Sequence, residues 1–218
     1  MSKLLEGKRV LVTNAGRYMG PPIVEVFEQE GAEVIANTDD LSDPDAADEA
    51  VAGAGHVDVL VANLLERKWW EALVQEIPDD DWLKHFDDIV HPLMRLTRAV
   101  LPQMIERKSG AIINVSSMLA EAVYPGMVSY SVSKIALEKL TEYTGMELKD
   151  YGIAVNALRI ELMIASEGWL YRNPGADLSQ WEQPEAASEA SLWMAAQPPD
   201  WTGNVVTIGD VREKLAGR

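Results

Sequence analysis

Ser117, Tyr130 and Lys134 stand in the stretch NVSSMLAEAVYPGMVSYSVSK, and their types and spacing point to proton-transfer chemistry. Tyr130 and Lys134 are four residues apart, which puts both on one face of a helix. A lysine ammonium beside a phenol stabilises the phenolate, drawing it down from its free value of about 10. A tyrosine so placed can exchange a proton with a substrate oxygen while a serine hydroxyl holds that oxygen. Tyrosine and lysine at this spacing are common on helices and by themselves mean little. A serine at the end of the preceding strand makes the pair a set.

The surrounding sequence must place these three groups. Apolar runs predict strands at Arg9–Thr13, Glu33–Asn37, Val57–Ala62, Ala111–Val115, Ala154–Leu158 and Asn204–Ile208. Helical patterns fall at about 19–30, 44–53, 80–107, 128–150 and 184–196, with Gly152 placed to cap the fourth. VDVLVA and AIINV are continuous apolar runs, as parallel strands buried on both faces require. The expected fold is α/β: one Rossmann-like, doubly wound parallel sheet with helices on both faces, spanning 1–218 as a single domain. Ser117 then follows a strand at its carboxyl end, where such sheets place their ligands. Only nineteen residues lie between Asn37 and Val57, room for one short helix but no further strand. The sheet is therefore expected to be one edge strand short. Residues 160–184, with their Gly, Pro and Asn clusters, are expected to form a substrate loop or lid.

Composition removes several classes. The formal net charge of −16 opposes a nucleic-acid or anionic-membrane partner, because phosphates are repelled. There is no cysteine, hence no disulfide framework, thiol nucleophile or cysteine zinc site. His56, His85 and His91 show no metal-ligand spacing, so no metal is expected. The opening MSKLLEGKRV has no apolar signal core and no run approaches a membrane span, which by default implies a cytoplasmic location. A small-molecule substrate is the expected partner.

The stretch TNAGRYMG, residues 13–20, follows the first strand and opens a helix. That order marks a nucleotide phosphate site, which favours glycines where the backbone nears the pyrophosphate. The chain resembles the short-chain dehydrogenase/reductase superfamily over nearly its whole length. VDVLVAN resembles that family's central strand motif, RAVLPQMIERKSGAIINVSS its next helix and strand, and YSVSKIALEKLTEYTGMELKDYGIAVNALR its active-site helix and following strand. Twelve residues separate Ser117 from Tyr130 and three separate Tyr130 from Lys134, as in the family's serine–tyrosine–lysine triad. The resemblance implies an oxidoreductase with a nicotinamide cofactor held by Thr13, Asn14, Tyr18, Gly20 and Asn63, in a homodimer or homotetramer packed through the long helices.

The chain also departs from that pattern. Family glycines would fall at 14, 18 and 20, where Asn14, Tyr18 and Gly20 stand. The Asn-Asn-Ala-Gly stretch reads Ala62, Asn63, Leu64, Leu65, and the tetrad asparagine falls near Ile89. Ile160 and Glu161 replace a Pro-Gly, and Ile208 to Asp210 replace an Asp-Gly-Gly. A second resemblance accounts for several of these changes. Halohydrin dehalogenases, the B-type especially, share the fold, bind no nicotinamide, and carry the pattern of Thr13, Tyr18 and Gly20. Their triad ends in arginine, however, and their carboxyl-terminal third differs from this one.

Arginine suffices where only the tyrosine needs a charge; lysine suits a group that must also bond a ribose. Lys134 thus favours the oxidoreductase over a cofactor-free dehalogenase-like lyase. A non-catalytic member of the fold ranks third, since the triad is intact. Asp39 and Asp40, after the second strand, would accept from an adenosine ribose hydroxyl and repel a 2′-phosphate, favouring NAD(H) over NADP(H). They could equally form a turn capping the next helix. Trp69, Trp70, Trp169 and Tyr171 are candidate pocket walls or, as readily, core and interface fillers. His91–Pro92, near a helix start, reads as structural.

Overall fold

A computed structural model describes residues 3–65, 72–161, 164, 174–175, 177–179 and 181–217. Its sheet is built from β1 (Arg9–Val12), β2 (Glu33–Ala36), β3 (Val59–Ala62), β4 (Gly110–Ser117), β5 (Ile153–Ile160) and β6 (Val205–Thr207). All pairings are parallel, in the order β2-β1-β3-β4-β5-β6. The helices are α1 (Gly20–Gln29), α2 (Ala46–Ala54), α3 (Asp79–His85), α4 (His91–Arg107), α5 (Val128–Leu148), α6 (Glu185–Ala195) and α7 (Ile208–Ala216). The α/β fold expected from the apolar runs is the fold observed.

Burial follows strand position. VLVA of β3 is wholly buried, as the middle of a covered sheet demands, whereas β2 is only half-buried along EVIA. The link after β2 holds α2 alone, so β2 is left as the edge and the sheet carries six strands among the described residues. Two apolar layers cover the sheet. Residues of α2, α4 and α5, including Val51, Leu96 and Leu137, fill one face. Ile23 and Phe27 of α1, Trp193 of α6 and Val211 of α7 fill the other. Full burial of a side chain such as Phe27 or Ile23 contributes about 1.5–3 kcal/mol.

The structure refines the expected elements at three places. The helix expected over 80–107 is α3 and α4 joined by a π-helical turn, Phe86–Val90, which turns Asp88 and Ile89 inward. The strand expected to reach Ile208 stops at Thr207, where a helix not anticipated from the sequence begins. Thr207 Oγ1 accepts from Asp210 N at 3.0 Å, and Asp210 Oδ2 accepts from Thr207 N at 2.8 Å, a capping box that opens α7. β4 and β5 run further than their apolar cores, so Ser117 is itself the last strand residue. Gly152 ends the 3-10 turn after α5 with φ 70°, and a Cβ there would lie 2.5 Å from Lys108 O.

Candidate active site

α5 carries Tyr130 in its first turn and Lys134 one turn later, and both are buried, Lys134 completely. A buried ammonium must place its N–H groups on acceptors to offset lost hydration. Lys134 Nζ donates to Leu64 O, just past β3, and to Val115 O in β4, each at 2.8 Å. The lysine thereby ties α5 to the two central strands. Its Nζ also lies 5.6 Å from the centre of the Tyr130 ring. Away from water a charge at that distance acts on the phenol more strongly than it would in solution.

Ser117 pairs in register with Ile160 of β5. Its Oγ accepts from Leu119 N at 3.3 Å, opening a 3-10 turn, Met118–Ala120, that packs against α5. A hydroxyl has one proton and two lone pairs, and this contact uses a lone pair. Ser116, one residue earlier, faces the other way and donates to Glu138 Oε1 at 2.7 Å. Glu138 also accepts from Arg159 Nε at 3.0 Å and Nη2 at 2.8 Å, while Arg159 reaches Glu121 beyond the turn. Glu138 above all holds the Arg159 guanidinium above its ordinary value, against the cost of burial. One network thus joins α5, β4, β5 and the segment after Ser117. The sequence reading missed it, although Glu138 lies four residues beyond Lys134 and so shares its helix face.

The tetrad position is apolar here. Ile89 is fully buried in the core layer that also holds Tyr130, and its side chain brings no polar group. His85 is the polar neighbour instead, its ring edge-on to Tyr130 with centres 6.4 Å apart. Its Nδ1 lies 3.2 Å from Asp81 O. Burial pushes the imidazole below its ordinary value, outweighing Asp81 and Asp88, so it stays neutral near pH 7. Asp88 is paired with Lys84. His91, the first residue of α4, lies 2.9 Å from Asp87 Oδ1 in the preceding π-helical turn.

The Thr13–Gly20 loop is closed by polar groups within the chain. Thr13 and Asn63 are fully buried: Asn63 N donates to Thr13 Oγ1 at 3.0 Å. Asn14 Nδ2 donates to Asn63 O at 2.9 Å, and Asn63 Nδ2 returns to Asn14 O at 3.3 Å and Arg17 O at 3.2 Å. These residues shape the loop. Asn14 and Tyr18 hold positive φ, 45° and 51°, where glycine would be unstrained. Tyr18 is half-buried against the layer containing Ile23 and Phe27, with the Arg17 guanidinium 5.6 Å from its ring centre. Gly20 is obligatory, since a Cβ would lie 2.4 Å from Asn14 O and 2.6 Å from Ala15 O.

The two aspartates offered for the ribose are exposed and locally engaged. Asp40 Oδ1 accepts from Ser42 N and Oγ, forming a turn. Asp39 Oδ2 accepts from Asn37 Nδ2 at 2.7 Å. Asn37 itself is buried at the carboxyl end of β2, and its Oδ1 has no hydrogen-bond partner among the described residues. That oxygen is sealed from solvent, while the Asp39 and Asp40 carboxylates lie at the surface. Trp69, Trp70, Trp169 and Tyr171 lie outside the described residues, as does most of the expected lid. Among the described residues no cluster of metal-ligating side chains occurs.

A family model described as short chain dehydrogenase matches residues 4–163. Carbonyl reductase [NADPH] 2 of Sus scrofa is 31% identical over 77% of this chain and 77% of that protein. The 3-oxoacyl-[acyl-carrier-protein] reductase FabG of Thermotoga maritima is 29% identical, covering 94% of this chain and 97% of its own. A solved short chain dehydrogenase/reductase family protein superposes with TM-score 0.84 at 25% identity, over 95% of this chain and 97% of that one. The chain belongs to the short-chain dehydrogenase/reductase family. None of these relatives is a dehalogenase, and relatives in this family are nicotinamide-dependent oxidoreductases.

Proposed function

We propose that the protein interconverts an alcohol and a carbonyl compound with a nicotinamide dinucleotide, using Tyr130 as the proton donor and acceptor. The observation that carries this reading is the seat of Lys134, fixed to Leu64 O and Val115 O with its charge 5.6 Å from the Tyr130 ring. When bound, the nicotinamide supplies or accepts the hydride. Tyr130 gives its phenolic proton to the developing alkoxide in reduction and takes it back in oxidation. Ser117, whose Leu119 contact occupies only a lone pair, keeps its proton to donate to the same oxygen. Lys134 stabilises the phenolate stage. Its complete burial supports that electrostatic role more directly than the ribose contact expected from the sequence.

At the adenosine end the exposed Asp39 carboxylate, just past β2, suits a ribose hydroxyl, whereas Asn37 Oδ1 is sealed from solvent. The Asp39 carboxylate, 2.7 Å from the Asn37 amide, disfavours a 2′-phosphate, which supports NAD(H) over NADP(H). Proteins of this fold have been solved with either cofactor, NAD in the Brucella melitensis 3-oxoacyl-[acyl-carrier protein] reductase and NADP in the Burkholderia cenocepacia gluconate 5-dehydrogenase. Ile135, Tyr143 and Met146 form an exposed apolar stripe on α5, and Met94 is exposed on α4, which supports a homodimer or homotetramer through these helices. No described helix is long and apolar enough to cross a membrane. The composition supports a cytoplasmic, small-molecule enzyme.

The test is NADH oxidation against a panel of aldehydes and ketones, comparing the native chain with Tyr130→Phe. The variant should lose about 10²–10⁴-fold in rate. An undiminished rate would remove Tyr130 from the chemistry.

A further inference from the structure

The first four residues of α1, Gly20 to Ile23, offer no free backbone donor to an anion. Gly20 N donates to Arg17 O at 2.8 Å, Pro21 and Pro22 have no N–H, and Ile23 N donates to Met19 O at 3.2 Å. The first-turn N–H groups that make a helix start attractive to phosphate are here absent or already bonded. A diphosphate arriving there also enters the field of a chain with net charge −16 and of exposed Asp39 and Asp40, which follow the neighbouring strand β2.

One group in the loop can answer that charge. Arg17 is the single cation in TNAGRYMG, and it is exposed. Its backbone is pinned on both sides: its N–H donates to Asn14 O at 3.0 Å, and its carbonyl accepts from Gly20 N and Asn63 Nδ2. Its guanidinium sits against the Tyr18 ring and has no carboxylate partner among the described residues. A planar fork of donors on a fixed stem, resting on an aromatic face, is suited to bidentate phosphate recognition.

We propose that Arg17 holds the dinucleotide diphosphate in place of the helix start, with Tyr18 serving as the rest for its guanidinium. The proposal builds on the dinucleotide reading above, but its test reads binding and needs no turnover. Calorimetric titrations with ADP, adenosine and adenosine 2′-monophosphate would be run on the native chain, Arg17→Gln and Arg17→Lys, at low and high salt. The native chain should bind ADP more tightly than adenosine, with affinity falling as salt rises. Arg17→Gln should weaken ADP by roughly ten- to a hundredfold and leave adenosine unchanged, with Arg17→Lys between them.

Equal ADP affinity in the native chain and Arg17→Gln would overturn the proposal. So would a native chain that binds ADP no better than adenosine, or an Arg17-dependent preference for the 2′-monophosphate. Arg17-dependent ADP binding without any NADH-linked turnover would keep the diphosphate grip and discard the oxidoreductase reading. Turnover with ADP affinity indifferent to Arg17 would do the opposite.

Discussion

Glu138→Ala tests whether the network behind Ser117 holds the site together. The carboxylate accepts from Ser116 Oγ at 2.7 Å and from Arg159 at 3.0 and 2.8 Å, and its side chain is 9% exposed. Removing one partner of a buried ion pair costs about 3–5 kcal/mol, because the other charge is left without its partner. Arg159 retains Glu121 and is 21% exposed, so solvent and that second carboxylate recover part of the loss. A cost of about 2–4 kcal/mol is expected, from the same buried-pair range discounted for exposure. At 218 residues each kcal/mol lowers Tm by about 2–4 °C, so the drop should be roughly 5–15 °C. Urea unfolding followed by tryptophan fluorescence gives the free energy directly. Glu138→Ala combined with Arg159→Ala should cost clearly less than the two single changes summed, since both remove one interaction. A loss below about 0.5 kcal/mol, as for an exposed pair, or strict additivity in the double variant, would refute the reasoning.

Gly20→Ala places a methyl group against two backbone carbonyls that no rotamer change can relieve; it should destabilise by about 1–3 kcal/mol, read by urea unfolding. Lys134→Met keeps the side-chain volume but leaves Leu64 O and Val115 O without their donor; reductase activity should fall at least tenfold, and a near-native rate would show that the charge is not used. His85 supplies a pH signature. Its folded value lies below the ordinary 6.5, so between the two the unfolded chain binds a proton that the folded chain refuses. Stability should therefore fall as pH drops through about 6.5 and level off below the folded value, and His85→Gln should flatten that part of the profile. An identical slope in the variant would show that another group titrates there.

Much of the architecture was legible because it rests on local rules. Continuous apolar runs such as VLVA and AIINV belong to strands covered on both faces, and the nineteen residues after Asn37 could not hold another strand and helix. The four-residue spacing of Tyr130 and Lys134 fixes their shared helix face by itself. Contacts between distant segments carry no such local mark. That Lys134 spends its N–H groups on carbonyls 70 and 19 residues away follows from packing alone. Likewise, Asn37 rather than Asp39 is the buried acceptor, because the end of β2 sinks it beneath the loop while the aspartates stay in water. The helix at Ile208 was concealed because its cap, Thr207 with Asp210, follows an apolar strand without a break in hydrophobicity. The sequence by itself determined the fold, through periodicity, and singled out Ser117, Tyr130 and Lys134 as the candidate chemical set, through residue type and spacing. Only the tertiary structure decided which polar atoms are engaged within the fold and which face solvent, because a hydrogen bond between segments far apart in the chain forms or fails according to how they pack.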